Sequence, residues 1–225
     1  MLRGGVIDSV GLSIPIREHV IHGDLSLDRG ARAAVIFAHG SGSSRHSPRN
    51  QYVARILQEA GIATLLVDLL TSEEERMDQR TLEHRFDIGL LADRLIGVTD
   101  WIREYEDFGH LQVGYFGAST GAAAALLAAS QRPNAIGAIV SRGGRPDLAS
   151  QALPRVTAPT LFIVGERDYE VLLLNREATR RMGAHASIKI VAGATHLFEE
   201  VGALEAVASL AAEWFRKNLI PMNAA

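Results

Sequence analysis

Apolar residues follow two alternating rhythms along this chain. Six short runs are almost wholly apolar: Ala33 to Ala38 (AAVIFA), Ile62 to Val67 (IATLLV), Leu111 to Phe116 (LQVGYF), Ala135 to Val140 (AIGAIV), Thr160 to Val164 (TLFIV) and Ser187 to Val191 (SIKIV). Runs of that length and composition read as parallel strands buried on both faces. Between them the apolar spacing lengthens to three or four. Ile88, Leu91, Leu95, Val98 and Ile102 line one face of a long helix, and Leu204, Val207, Leu210 or Ala211 and Trp214 line another near the C-terminus. Ser47 followed by Pro48 predicts an N-cap with proline in the first turn, opening a helix to about Ala60.

The first thirty or so positions differ. Leu12 to Ile16 and Val20 to Leu27 alternate apolar and polar residues, the pattern of antiparallel strands at a sheet edge, closed by a turn at Asp28-Arg29-Gly30. The polar stretch Thr71 to Arg85 has no apolar rhythm and reads as a surface loop or a frayed helix start. Alternation of β and α elements predicts a mostly parallel sheet with helices on both faces and an antiparallel N-terminal edge. No repeat or low-complexity linker interrupts it, so one domain over residues 1–225 is expected.

Composition narrows the function classes. Hydrophobic residues make up 47% and charged residues 22% of the 225 positions, an ordinary globular balance. The net charge of −3 gives no basic excess for a nucleic-acid partner. There is no cysteine, which excludes disulfides, thiolate metal sites and a cysteine nucleophile. The N-terminal segment has no signal-peptide pattern, and the longest apolar stretch, Ala122 to Ala129, is too short to span a bilayer. A cytoplasmic location without a membrane partner is therefore expected. No residues cluster at metal-ligand spacing, so neither metal nor cofactor is expected.

Candidate chemistry sits where strands end, the edge at which open α/β sheets bind ligands. Gly117-Ala118-Ser119-Thr120-Gly121 lies between a predicted strand and the helical run that follows. A nucleophile on such a sharp turn needs very small neighbours two residues either side. Asp168 follows the run TLFIV and suits an acid that orients a histidine, with Glu166 as local competitor and a helix N-cap as its alternative role. His196, after SIKIV, suits a general base; His19 and His22 lie in the N-terminal hairpin region, His84 and His110 in polar loops and His185 at a helix end, and none of these follows a parallel strand closely. The order Ser119, Asp168, His196 is that of the α/β-hydrolase triad. His39-Gly40-Ser41-Gly42, after the first core strand, suits an oxyanion hole built from the amide of Ser41 (Gly42 as runner-up) together with that of Thr120. It carries neither a Gly-Lys-Ser/Thr ending nor a GxGxxG pattern, so phosphate-loop and dinucleotide readings are weaker.

The segments Phe37 to Asn50 (FAHGSGSSRHSPRN), Gly114 to Leu126 (GYFGASTGAAAAL), Ser141 to Ala149 (SRGGRPDLA), Leu161 to Val171 (LFIVGERDYEV) and Gly193 to Glu200 (GATHLFEE) resemble the dienelactone hydrolase-like branch of the α/β-hydrolase superfamily, from about Ala33 to Phe215. They are most similar to a small subgroup with members fused to phosphoribosyltransferase domains; no such second domain is expected here. The resemblance implies an α/β-hydrolase fold, a Ser119/Asp168/His196 triad and cofactor-free hydrolysis of an ester or lactone. The dienelactone hydrolases proper use cysteine as nucleophile. Serine here places dienelactone itself in doubt as substrate and leaves the hydrolytic chemistry intact.

Ser141 to Pro159 is too short for a large cap domain, so an open or shallow site is expected. Arg45, His46 and Arg49 follow the oxyanion loop, and Arg142 and Arg145 follow the next strand beyond the nucleophile's helix. Converging on the site, Arg45, His46 and Arg142 would select a small-molecule substrate carrying a carboxylate or phosphate. The alternative, which is favoured, pairs these arginines with acids such as Asp68 and Asp147 to hold loops. Thioesterase, acyltransferase and peptidase chemistry would use the same triad, and a silent binding module would use none of it. Monomer and homodimer are equally compatible with the sequence.

Overall fold

The computed structural model describes residues 8–27, 30–105 and 108–220. An eight-stranded sheet runs through it in the order β1-β2-β4-β3-β5-β6-β7-β8. Strands β1 (Asp8–Ile16) and β2 (His19–Leu27) form an antiparallel hairpin, and β2 pairs antiparallel with β4 (Ala63–Val67). The remaining neighbours, β3 (Ala33–Ala38), β5 (Gln112–Ala118), β6 (Ala138–Arg142), β7 (Thr160–Gly165) and β8 (Ala186–Val191), pair in parallel. This is the predicted mostly parallel sheet with an antiparallel N-terminal edge. The turn predicted at Asp28-Arg29-Gly30 has two residues outside the described ones.

Every residue of β3, β4, β6 and β7 is buried, as their continuous apolar runs require. Strand β8 departs from that expectation. It is an edge strand, Ser187, Lys189 and Ile190 are exposed, and only Val191 is fully buried. Its apolar residues fill one partly covered face instead of two.

Helices cover the sheet on both faces. Helices α1 (Pro48–Glu59) and α6 (Ala203–Leu219) pack on one face through Val53, Leu57, Val207, Ala211 and Phe215. Helices α3 (Ile88–Glu104), α4 (Thr120–Gln131) and α5 (Tyr169–Met182) pack on the other. All five residues of the predicted α3 stripe are buried. Ser47 caps α1 as its sequence implies, its hydroxyl accepting the N–H of Asn50. Half of helix α4 is alanine, and Ala122 to Ala125 are fully buried. Small side chains let that helix lie close against the central strands that it follows.

Thr71 to Arg85 proves more ordered than its polar composition suggests. Helix α2 (Ser72–Thr81) opens on a capping box, in which Thr71 Oγ1 accepts the Glu74 N–H and Glu74 Oε2 accepts the Thr71 N–H. Glu74 also accepts from Arg94 of α3 at 2.6 Å, in a largely buried ion pair. Polar anchors thus replace the apolar stripe whose absence made the segment read as a surface loop or a frayed helix start. Ser141 to Pro159 holds two short 3-10 turns, Pro146–Ala149 and Leu153–Arg155, and no cap domain.

Candidate active site

Ser119 sits between the end of β5 and the start of α4 with φ of +51° and ψ of −118°. A β-carbon residue at positive φ is strained, and such strain persists only where the surroundings enforce it. The glycines on either side supply that enforcement. A Cβ at Gly117 would lie 2.4 Å from Ala122 Cα, and one at Gly121 would lie 2.2 Å from the Ala38 carbonyl oxygen. No side chain fits at either position. Ser119 keeps partial exposure while Val113 to Ala118 and Thr120 are buried, so the turn presents this hydroxyl-bearing residue at the sheet's carboxyl edge.

His196 lies on the loop after β8. Its Nδ1–H donates to Asp168 Oδ2 at 2.6 Å. A carboxylate only accepts, so this bond fixes the proton on Nδ1 and leaves the Nε2 lone pair free to take a proton. Asp168 stands at the N-cap position of α5, yet its side chain makes no capping bond. The N-cap role weighed from sequence is therefore not the one its carboxylate performs. Glu166, the local competitor, is engaged elsewhere, with Oε2 accepting the Gly193 N–H at 2.7 Å. Glu200 Oε1 accepts both the N–H and the hydroxyl of Thr195, at 3.0 and 2.7 Å. Three carboxylates thus brace one loop.

Two backbone contacts bring this loop to Ser119. The Ser119 N–H donates to the Arg142 carbonyl at 3.2 Å. The next residue, Gly143, touches His196, since a Cβ there would lie 3.3 Å from the ring's Cε1 and 3.4 Å from Nδ1. Ser119, Asp168 and His196 therefore occupy one patch at the ends of β5, β7 and β8.

The loop after β3 forms the opposite wall. A Cβ at Gly40 would be 3.2 Å from Ser119 Cβ and from the Ala118 carbonyl oxygen, so Gly40 packs directly against the nucleophile turn. His39 holds that loop from below. It is buried, its Nδ1–H donates to the Gly40 carbonyl at 2.9 Å, and Nε2 accepts the Leu69 N–H at 3.1 Å. Burial lowers its basicity and keeps it neutral. Gly40, Ser41, Gly42 and Thr120 line a small cleft together with Leu70, Leu91 and Arg85. An adjoining polar cleft of about 450 Å³ is lined by residues including Ser43, Ser44, His46 and Ser72.

The arginines divide. Arg45 ion-pairs with Asp68 through Nη1, donates its backbone N–H to the same carboxylate at 2.8 Å, and reaches Asp24 at 3.3 Å. Arg145 forks onto Asp147 at 2.9 and 2.7 Å. Both hold loops, as the alternative reading expected, and neither guanidinium is free for a ligand. His46 is exposed, 3.9 Å from Asp24, on the wall of the polar cleft. Arg142 is buried, and among the described residues neither its Nε nor its Nη1 has a hydrogen-bond partner. One contributor escaped the sequence reading. Arg85 donates from Nε to the buried Asp78 at 2.6 Å, and Asp78 also accepts the N–H groups of His84 and Arg85. Burial opposes the charge on Asp78, but these donors outweigh it and hold its carboxyl below the ordinary range. The Nη1 edge of Arg85 faces Gly42. The Thr71-x-x-Glu74 box signals the helix that carries Asp78, but nothing in the sequence signals the pairing itself. Among the described residues, no three His, Asp or Glu side chains cluster as a metal site, and no helix is long and apolar enough to cross a membrane.

A strained serine between glycines at the end of a central parallel strand, with an Asp–His pair on the loops after β7 and β8, is the arrangement of an α/β hydrolase. The family model described as alpha/beta hydrolase domain matches residues 31–209, and the chain belongs to that family, in its dienelactone hydrolase-like branch. A crystal structure of dienelactone hydrolase from Anabaena variabilis superposes with a TM-score of 0.93 at 56% identity, over 95% of this chain and 99% of that one. A dienelactone hydrolase-like promiscuous phosphotriesterase from metagenomic libraries shares the fold at 16% identity and a TM-score of 0.78, over 96% of this chain and 100% of that one. A Mycobacterium tuberculosis H37Rv protein, provisionally named a phosphoribosyl transferase, is 52% identical over 218 residues. That match covers 97% of this chain but 47% of the relative, so the chain spans about half the length of the curated relatives it matches.

Proposed function

We propose that this protein is a serine hydrolase that cleaves a small ester or lactone through an acyl-enzyme on Ser119, without a cofactor. The observation that carries the reading is the 2.6 Å bond from His196 Nδ1 to Asp168, made beside Gly143, whose neighbour Arg142 accepts the N–H of the strained Ser119. Ser119 Oγ attacks the carbonyl carbon while Nε2 of His196 takes its proton. Asp168 fixes the histidine tautomer and stabilises the imidazolium. The carbonyl oxygen, now negative, lies against the N–H groups of Ser41 and Thr120. Collapse expels the alcohol, which takes the proton from His196. Water then attacks the acyl-enzyme by the same route and restores the hydroxyl of Ser119.

Labelling with a fluorophosphonate probe, alongside hydrolysis of short p-nitrophenyl esters, tests this directly. Wild type is expected to label at Ser119 and turn over ester, with Ser119→Ala losing both and falling at least about 10³-fold in rate. A folded wild type that neither labels nor hydrolyses would sink the reading in favour of a silent binding module. Thioester substrates and alcohol acceptors, with the products analysed, separate a thioesterase or an acyltransferase from an esterase.

A further inference from the structure

The polar cleft beside the oxyanion loop has a volume of about 450 Å³, within the range of small-molecule sites. The Ser43 N–H donates to the Gly40 carbonyl at 3.2 Å, which folds the loop into a tight turn with Ser41 and Gly42 exposed at its centre. His39, Gly42, Leu70 and Glu75 line both this cleft and the small one that contains Thr120, so the two adjoin across Gly42. A chain extending from Ser119 reaches the polar cleft by crossing that one turn.

The walls carry donors and acceptors in mixture. On the loop after β3, Ser44 Oγ accepts the His46 N–H at 3.2 Å and Ser47 Oγ accepts the Asn50 N–H at 3.4 Å, so each hydroxyl keeps its own proton to donate. On α2, Gln79 Nε2 donates to Glu75 Oε1 at 3.4 Å, which leaves the Gln79 carbonyl oxygen and Glu75 Oε2 to accept. Among the described residues, Leu70 and Pro48 are the only apolar side chains in the lining, which gives an apolar ligand little to bury against. Asp68 and Glu75 line the cleft and repel an anion, and the guanidinium of Arg45 is already bound to Asp68 and Asp24. Arg85 lines the small cleft, not this one. A neutral hydroxyl both donates and accepts, and it matches this lining where an anion or an alkyl group does not.

The hydrolase reading above fixes which part of a substrate lies here. The leaving oxygen takes its proton from His196, so it faces the His196 wall, and the acyl chain runs the other way, along the oxyanion loop. We infer that the polar cleft is a subsite for the acyl part of the substrate, and that this part is a short neutral chain bearing several hydroxyl groups, as in an ester or lactone of a polyhydroxy acid. On hydrolysis the bond from acyl carbon to ester oxygen breaks, water gives its hydroxyl to the carbon, and its proton goes to the released oxygen. The acyl assignment rests on the hydrolase reading; affinity for a polyol does not.

Two measurements test the inference. In the first, kcat/KM is determined for δ-gluconolactone and δ-valerolactone in a pH-stat, with the spontaneous rate subtracted. The ratio of the two is compared among wild type, Gln79→Ala and Ser44→Ala, each of which removes one hydrogen-bonding group from a different wall. It is expected to fall roughly three- to tenfold in each variant. Gln79 is exposed on α2, so Gln79→Ala carries the test should Ser44→Ala disturb its loop. In the second, saturation-transfer NMR with glucitol as probe and 1,6-hexanediol as control is run on wild type and Ser119→Ala, where no turnover is needed. Transfer to glucitol and not to the diol is expected in both, and a weaker signal in Gln79→Ala. A ratio unchanged in both variants, or no transfer to glucitol, would overturn the inference. Glucitol binding by a wild type that hydrolyses neither lactone would overturn the acyl assignment together with the hydrolase reading and leave the polyol site standing.

Discussion

The two walls of the site are built by different physics. The Ser119 turn is set by volume: Gly117 and Gly121 leave no space for a Cβ, and backbone atoms of β3 and α4 close in from both sides. The His196 loop is set by charge-assisted hydrogen bonds, with Asp168, Glu166 and Glu200 each holding a different point on it. One wall excludes added atoms and ignores charge. The other depends on ionised carboxylates. Rigid positioning of a strained residue needs the first, and a histidine that must gain and lose a proton needs the second.

Substitutions that keep volume but alter charge, or the reverse, separate the two walls. The largest effect is expected from Asp168→Asn, which keeps the shape, removes the charge and offers an amide N–H in place of one carboxylate oxygen; kcat on a p-nitrophenyl ester should drop by about 10³–10⁴-fold with little change in Tm. A variant within tenfold of wild type would show that this wall does not depend on the charge. Gly121→Ala adds one methyl against the Ala38 and His39 carbonyls. It should cost about 3 kcal/mol or more in urea unfolding, and a change below about 1 kcal/mol would mean the turn can give way. Asp78→Asn breaks a buried ion pair outside both walls and should cost about 2–4 kcal/mol, with the cleft edge near Arg85 losing protection in hydrogen exchange. Glu200→Gln should slow kcat roughly tenfold by loosening the loop that aims His196, and KM should hold.

The smallest effect concerns pH. His39 is held below its ordinary pKa, chiefly by burial, and its Nε2 must stay unprotonated to accept from Leu69. The unfolded chain therefore binds a proton here before the folded one does. Stability from this histidine is complete above about pH 6.5 and declines as pH falls below that value. Urea midpoints measured between pH 8 and pH 5 should show a drop in wild type that is shallower in His39→Asn. Equal slopes would remove His39 as the source.

Legibility in the sequence followed the same division. Steric demands leave local marks: the glycines around Ser119, the Ser47-Pro48 start of α1 and the apolar runs of the inner strands could all be read directly. So could the order of Ser119, Asp168 and His196, because each follows a strand end. What could not be read depends on partners distant in the chain. The all-polar α2 segment is held by Glu74 to Arg94 and by Asp78 to Arg85, and no periodicity announces such bonds. The arginines looked alike as letters. Asp68 and Asp147 neutralise Arg45 and Arg145, while Arg142 is buried with no hydrogen-bond partner at Nε or Nη1 among the described residues, and that contrast exists only once the strands are placed.

Strand β8 closes the sheet with an open edge, and with Lys189 exposed in its middle. Such an edge is a template on which a second chain can add a strand. A strand docking there would have to strip water from an ammonium group with no acid to receive it, so Lys189 acts as a guard on colloidal behaviour instead of on chemistry. Lys189→Ile is therefore expected to leave the ester assay as it stands and to lower the concentration at which light scattering first reports large species.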